Sequence, residues 1–145
     1  MNHDAHDAHD GSRYRMRLPS PLSKEAEHAV TRVIDCAMSV HRELGPGFLE
    51  SIYKKAMAIA LTNEGIPYEC EKPLEVRYQG VAIPGQRVDL IVDGLIVVEL
   101  KSVRSLEEIH EAQLISYLKS TGLRGGLLIN FRLSLLHRGL KRIVL

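Results

Sequence analysis

The stretch VDLIVDGLIVVELKS, residues 88–102, constrains the fold more than any other part of the chain. It contains two runs of strand-forming residues joined around Asp93-Gly94, a dipeptide typical of a tight hairpin turn. Three charged residues, Asp89, Glu99 and Lys101, lie inside these runs. A half-buried strand has no structural need for such charges. The stretch therefore predicts a β-hairpin whose sheet carries a cluster of charged side chains.

Two helices are predicted before this hairpin. Apolar residues recur at three- and four-residue steps from Ser23 to Leu44, which predicts an amphipathic helix of about twenty residues. Gly45-Pro46-Gly47 breaks it. A second helical run extends from about residue 48 to residue 63, where Glu64-Gly65 ends it.

Five strands and a third helix are predicted after residue 67. Strands are expected at 68–78, 81–92, 95–100 and 126–130, with a weaker one at 141–145. Gln79-Gly80 is the predicted turn between the first two strands, and Pro84-Gly85 is a predicted kink or bulge. Ser105 and Glu108 have the spacing of a capping box, which predicts a helix from about 106 to 120, ended by Gly122.

The order of the predicted elements is ααβββαβ, with one further strand at the C-terminus. This order predicts an α/β (α+β) fold in which helices flank a mixed central β-sheet. A chain of 145 residues with 45% hydrophobic content suffices for one core. We expect a single domain over residues 22–145, preceded by a disordered tail at residues 1–21.

The predicted tail contains the only internal repeat, HDAHDAHD at residues 3–10. Its three His and three Asp could collect a transition metal. However, a segment whose apolar residues are only two alanines cannot offset its ordering entropy, so we expect a disordered tail in preference to a metal site or a metal-transport role.

Charge is distributed unevenly along the chain. After Gln113 there is no Asp or Glu, whereas six basic residues follow: Lys119, Arg124, Arg132, Arg138, Lys141 and Arg142. The asymmetry has two interpretations, an ordinary solvated surface or a surface that faces nucleic acid.

Cysteine usage and hydropathy bear on the location of the protein. Cys36 and Cys70 lack the spacing of a zinc site and are expected to be reduced. No apolar run approaches the roughly 18 residues that a membrane span needs. We expect a soluble cytoplasmic protein that does not engage a membrane.

The length of the hairpin loop decides whether the charged residues can act together. A two-residue loop would place Asp89 and Glu99 on opposite faces of the sheet. A three-residue loop, Val92-Asp93-Gly94, would pair Asp89 with Val97 and bring Glu99 diagonally adjacent on the same face. A functional cluster therefore requires a loop of odd length.

If the side chains converge, their chemistry is that of a metal site. Two carboxylates, Asp89 and Glu99, can bind Mg²⁺ together with waters and phosphate oxygens. The bound cation would activate water and neutralise charge on a phosphodiester, while Lys101 positions the nucleophile or stabilises developing charge. In the alternative interpretation Glu99 and Lys101 form a surface pair and Asp89 lies near a turn.

Further motifs extend this pattern. The helix before the hairpin carries Gly47-x-x-Glu50-x-x-Tyr53, and the helix after it carries Gln113-x-x-x-Tyr117. Together with the strand Asp and the sequence VELK, they resemble the GxxExxY family of the PD-(D/E)XK nuclease superfamily over roughly residues 23–131. The resemblance implies a mixed sheet flanked by helices and metal-dependent cleavage of phosphodiester bonds. One departure is Val88, where such nucleases often have Pro.

The resemblance also implies roles for individual residues. Asp89 and Glu99 would bind Mg²⁺ or Mn²⁺, Glu50 would complete the metal shell directly or through water, and Lys101 would be the catalytic lysine. Gln113 and Tyr117 share one helix face and would point towards the active site, although helix packing is the alternative. Tyr53 would either hydrogen-bond near the site or lie in the core, and Gly47 would serve the turn before its helix.

The predicted function is that of a metal-dependent nuclease with a nucleic-acid substrate, DNA ranked ahead of RNA. The alternative is a non-catalytic module that binds nucleic acid or protein on a nuclease-like fold. With two Phe and no Trp, the chain has few aromatic residues for stacking bases, which favours recognition of shape or backbone. Because many compact nucleases present two sites, a homodimer is a further hypothesis.

Overall fold

The structure is a computed structural model that describes residues 20–145. The prediction of a disordered His/Asp-rich tail covers residues 1–21, of which residues 1–19 lie outside the described residues. The elements are, in chain order, α1 (Lys24–Leu44), α2 (Glu50–Asn63), β1 (Tyr68–Tyr78), β2 (Val81–Val92), β3 (Ile96–Lys101), α3 (Glu108–Thr121), β4 (Gly125–Asn130), a short 3-10 helix (Leu136–Gly139) and β5 (Leu140–Val144).

The five strands form one mixed sheet in the order β1-β2-β3-β4-β5. Neighbouring strands are antiparallel except for β3 and β4, which are parallel and are connected through α3. A parallel pair needs such a crossover connection. Short turns join β1 to β2 and β2 to β3, and a segment that includes the 3-10 helix joins β4 to β5. The mixed sheet with flanking helices and the element order confirm the predicted fold class.

Apolar side chains cover the sheet in two separate clusters. The larger cluster packs α1 and α2 against strand residues that include Leu90, Val98 and Leu100. The smaller cluster packs Leu114 and Leu118 of α3 with Val97 and other strand residues. The sheet is therefore enclosed by helices from two sides, and the polar residues of β2 and β3 lie between them.

The first helix and the first hairpin follow the predictions closely. Ser23 is the N-cap of α1, and its side chain accepts a hydrogen bond from the Ala26 N–H at 3.1 Å. In the β1–β2 hairpin, Leu74 pairs with Gln86 and Val76 pairs with Ile83. One residue of β1 therefore stands opposite Pro84-Gly85, and the predicted bulge is confirmed.

The start of α3 differs from the prediction. The helix begins at Glu108, and Glu107 is its N-cap in place of Ser105. The Glu107 N–H donates to Nδ1 of His110 at 2.9 Å, which completes a capping box two residues beyond the predicted one. Gly122 ends the helix as predicted, with φ at 75°.

Two of the C-terminal basic residues form ion pairs within the chain. Lys141 pairs with Glu111 at 2.7 Å, and Arg142 pairs with Glu27. These two charges therefore tie β5 to α3 and α1, and they contribute less to a free basic surface than the sequence alone suggests.

Cys36 is buried and Cys70 is exposed, and both are free thiols. No helix within residues 20–145 is long and apolar enough to cross a membrane.

Candidate active site

The β2–β3 loop brings the two strand carboxylates onto the same face. Val92 pairs with Ile96 and Leu90 with Val98, so the loop is the three-residue segment 93–95. The predicted odd length is confirmed, but the predicted pairing of Asp89 with Val97 is wrong. Continuing the observed register by one residue places Asp89 directly opposite Glu99.

The difference comes from the conformation of the turn. Asp93 and Gly94 both have left-handed backbone angles, with φ at 55° and 65°. The Leu95 N–H donates to the Val92 carbonyl at 3.0 Å. Asp tolerates this conformation better than a β-branched residue does, so Val92 remains in the strand and Leu95 becomes the third loop residue.

Asp89 and Glu99 hold each other through backbone hydrogen bonds. The Asp89 N–H donates to Oε1 of Glu99 at 3.0 Å, and the Leu100 N–H donates to Oδ2 of Asp89 at 2.8 Å. The ladder between β2 and β3 ends at Leu90 and Val98, so each carboxylate replaces a backbone acceptor where the strands separate. The two carboxylates are thereby fixed side by side.

Because the two carboxyl groups are buried close together, it is unfavourable for both of them to be ionised. Asp89 is 8% exposed and Glu99 is 4% exposed, so Glu99 does not form the exposed surface pair with Lys101 that the alternative interpretation describes. Burial and the neighbouring charge of Asp89 raise the pKa of Glu99 to about 8. A buried carboxylate pair of this kind gains stability when a cation binds beside it.

Lys101 lies at the end of β3 and faces α3. Its ammonium donates to Oε1 of Gln113 at 3.3 Å, and the side chain is half-buried. Gln113 thus restricts where the ammonium can point. The structure brings together the strand lysine and the helix glutamine that the sequence analysis identified separately.

Tyr117 both packs in the core and lies near the site, so the two interpretations of this residue hold together. The residue is 5% exposed and packs in the α3 cluster, yet its hydroxyl accepts a hydrogen bond from Nε2 of Gln86 at 2.6 Å. Burial, followed by the charges of Glu99 and Asp89, raises the pKa of Tyr117 to about 12. The hydroxyl therefore keeps its proton beside the carboxylates. Gln86 was not identified from the sequence, because a strand Gln carries no distinguishing signal.

Lys54 is the main residue that sequence reasoning missed. Its ammonium lies 2.9 Å from Oδ1 of Asp89 and 3.6 Å from carboxylate oxygens of both Glu50 and Glu71. Burial alone would lower the pKa of Lys54, but the hydrogen bond and charge of Asp89, with Glu71 and Glu50, outweigh it and raise the pKa. In the sequence, Lys54 and Glu50 have only the spacing of an ordinary helix surface pair.

Glu50 and Glu71 reach the site through this lysine. Glu50 begins α2, and the shared contact with Lys54 links it to Asp89. Glu71 lies on β1 with φ at 50°, an unfavourable backbone angle for a residue with a side chain. Such angles persist where the surrounding structure holds them, and they are frequent at functional sites.

Tyr53 is a core residue that supports the turn before α2. It is fully buried and stacks on Phe131 with ring centroids 4.4 Å apart. Its hydroxyl donates to the Gly45 carbonyl and accepts the Phe48 N–H. This arrangement confirms the core interpretation. The left-handed residue of the turn is Gly45, with φ at 73°, and not Gly47.

The donor set fits a metal that completes its shell with water and substrate. Among residues 20–145, no group of three or more His, Cys, Asp or Glu side chains is arranged to hold an ion. The Asp89 and Glu99 carboxyl groups nevertheless provide two hard oxygen ligands in a buried position. Mg²⁺ is commonly bound by one or two carboxylates plus waters and phosphate oxygens, so the pair is compatible with this ion.

Comparison with known proteins agrees with the geometry. A family model described as the PD-(D/E)XK nuclease superfamily matches residues 27–143. The match includes the two carboxylates, Lys101, and the α3 residues Gln113 and Tyr117. No significant match was found among curated proteins or solved structures.

Proposed function

The chain belongs to the PD-(D/E)XK nuclease superfamily, and we propose that it is a metal-dependent nuclease of the GxxExxY type that hydrolyses phosphodiester bonds in nucleic acid. The observation that carries the proposal is the buried pair of Asp89 and Glu99, whose carboxylates accept hydrogen bonds from the Leu100 and Asp89 N–H groups, respectively. Lys101 follows two residues after Glu99 on the same strand. A surface ion pair would not need this burial. We rank DNA ahead of RNA as the substrate.

In this proposal Asp89 and Glu99 hold a divalent cation, Mg²⁺ or Mn²⁺, with Glu50 contributing directly or through water. When bound, the cation would supply an acidic water and neutralise charge on the phosphodiester. The remaining chemistry belongs to the protein. The two strand N–H groups keep both carboxylates oriented, because neither side chain can rotate without leaving a backbone donor unpaired.

Lys101 supplies a positive charge for the reacting phosphate. Its contact with Gln113 orients the ammonium, and a fixed cation stabilises developing negative charge without reorganising. Tyr117, protonated at neutral pH, and Gln86 form a polar wall next to Glu99. We propose that this wall supports the position of Glu99 and Gln113 and takes no proton during the reaction.

The direct test is cleavage of a panel of linear, single-stranded and branched DNA and of RNA, with Mg²⁺ or Mn²⁺. Wild type is compared with Lys101→Ala, and Lys55→Ala serves as a matched control on the exposed surface of α2. Cleavage that needs metal and is lost only in Lys101→Ala supports the nuclease and identifies its substrate. Binding without cleavage by wild type across the panel contradicts the proposal.

A second function is favoured by one observation, the ion pair of Lys54 with Asp89. If the lysine permanently neutralises Asp89, the chain would be a non-catalytic module that binds nucleic acid or protein. In that case no metal affinity would be measured even with nucleic acid present.

We also propose that a nuclease of this size acts as a homodimer with two sites, and a monomeric mass by light scattering in the presence of substrate would contradict this.

A further inference from the structure

Lys54 takes the position beside Asp89 in which a cation would bind. Of the two carboxylate oxygens of Asp89, Oδ2 accepts the Leu100 N–H. The other, Oδ1, is 2.9 Å from the Lys54 ammonium. The oxygen that the backbone leaves available is therefore engaged by a charge from the same chain.

The contact is part of a wider arrangement around the lysine. Glu50 and Glu71 each have a carboxylate oxygen 3.6 Å from the ammonium, and the Lys54 side chain is 32% exposed. These carboxylates lie on two different elements, α2 and β1. A flexible lysine side chain can thus leave Asp89 and remain paired with Glu50 or Glu71.

We propose that Lys54 is a resident counter-ion that competes with a divalent cation for Asp89, so that this chain binds its metal weakly unless Lys54 moves aside. The inference rests on the proposed metal-dependent function. The inference adds Lys54 of α2 to the site as a residue that limits metal affinity, although the metal ligands Asp89 and Glu99 lie on strands.

The physical basis is exchange of one cation for another at a single carboxylate. An ammonium that is 2.9 Å from Oδ1 both neutralises Asp89 and occupies the space of a metal ligand bond. Binding must then overcome the loss of the charged hydrogen bond. Such bonds contribute enough that removing the competitor should tighten metal binding about tenfold.

The test is calorimetric titration of Mg²⁺ and of Mn²⁺ into wild type, Lys54→Met and Lys54→Gln. Met keeps most of the length and the apolar stem of the side chain, and Gln keeps a polar end without the charge. Lys55→Met is the matched control, because Lys55 is the next residue of α2, is exposed, and forms no ion pair among the described residues. Both Lys54 variants should bind about tenfold more tightly than wild type, and Lys55→Met should match wild type.

Thermal unfolding provides a readout that is independent of activity. Without metal, the Lys54 variants leave the carboxylates uncompensated and should unfold at a lower temperature than wild type. Saturating Mg²⁺ should raise their midpoint more than it raises that of wild type. Equal or weaker metal binding by both Lys54 variants, or an equal gain in midpoint, would overturn the competition.

A final variant separates this inference from the proposed function. Asp89→Asn should abolish metal binding in the wild-type and the Lys54→Met backgrounds. If all proteins except those carrying Asp89→Asn bind metal equally, the site is real and Lys54 does not compete. If none of the proteins binds metal, with or without nucleic acid, both the competition and the metal-dependent function are wrong.

Discussion

Glu99→Gln should stabilise the metal-free protein at pH 8 even though it removes a proposed metal ligand. Burial and the charge of Asp89 raise the pKa of Glu99 from 4.5 to about 8. Between these two pH values the folded protein holds a proton that the unfolded chain has released. Folding stability therefore falls as pH rises from about 4.5 to about 8, and it changes no further above that range.

The size of the effect follows from the shift. At about 1.4 kcal/mol for each pKa unit, the whole shift from 4.5 to about 8 sets an upper limit of roughly 5 kcal/mol. Screening by Lys101 and by water that enters the site reduces it, and we expect about 1–3 kcal/mol between pH 5 and pH 8. Gln resembles the protonated carboxyl and can still accept the Asp89 N–H, so the variant should not show this loss.

The assay is urea unfolding in the presence of EDTA, at pH 5 and at pH 8. The difference in unfolding free energy between Glu99→Gln and wild type should be small at pH 5 and should favour the variant at pH 8. Glu43→Gln makes the same chemical change on the exposed surface of α1 and should show no such dependence. A variant that is less stable than wild type at pH 8 would refute the electrostatic reasoning.

Three further predictions concern positioning and packing. Gln113→Ala should lower the rate of single-turnover cleavage roughly 10- to 100-fold with Mg²⁺ affinity unchanged, because Lys101 loses its fixed partner; an unchanged rate would contradict this. Tyr53→Phe should lower the free energy of urea unfolding by about 1–2 kcal/mol while cleavage is retained, since only the hydroxyl bonds are lost. Gly139→Ala should lower the free energy of unfolding by about 1–3 kcal/mol in the same assay, because its Cβ would clash with the Asn130 carbonyl oxygen.

Elements bounded by turn residues were predicted well. The strands at 68–78 and 81–92 have the predicted bounds, since Gln79-Gly80 and Pro84-Gly85 each impose a local backbone geometry that neighbours do not override. Boundaries that depend on competition between nearby residues were predicted less well. Ser105 and Glu107 are both able to cap α3, and the contact with His110 decides between them.

The candidate site divides in the same way. Helix spacing suffices to group Gln113 with Tyr117, because the periodicity is fixed by the backbone. Strand alternation groups Asp89 with Glu99 only once the loop between their strands has an odd length, and it does not give their exact pairing. The contact of Lys54 with Asp89 depends on how α2 packs against the sheet, and no local pattern encodes it. The same holds for the contact of Gln86 with Tyr117.

Anomalous diffraction from crystals soaked in Mn²⁺ would test most directly whether Asp89 and Glu99 form a metal site. A peak within roughly 2.2 Å of a carboxylate oxygen of each residue is the predicted result, with the Lys54 ammonium moved away from Oδ1 of Asp89. Crystals at saturating Mn²⁺ with no peak between the two carboxylates, and with Lys54 still paired to Asp89, would contradict it.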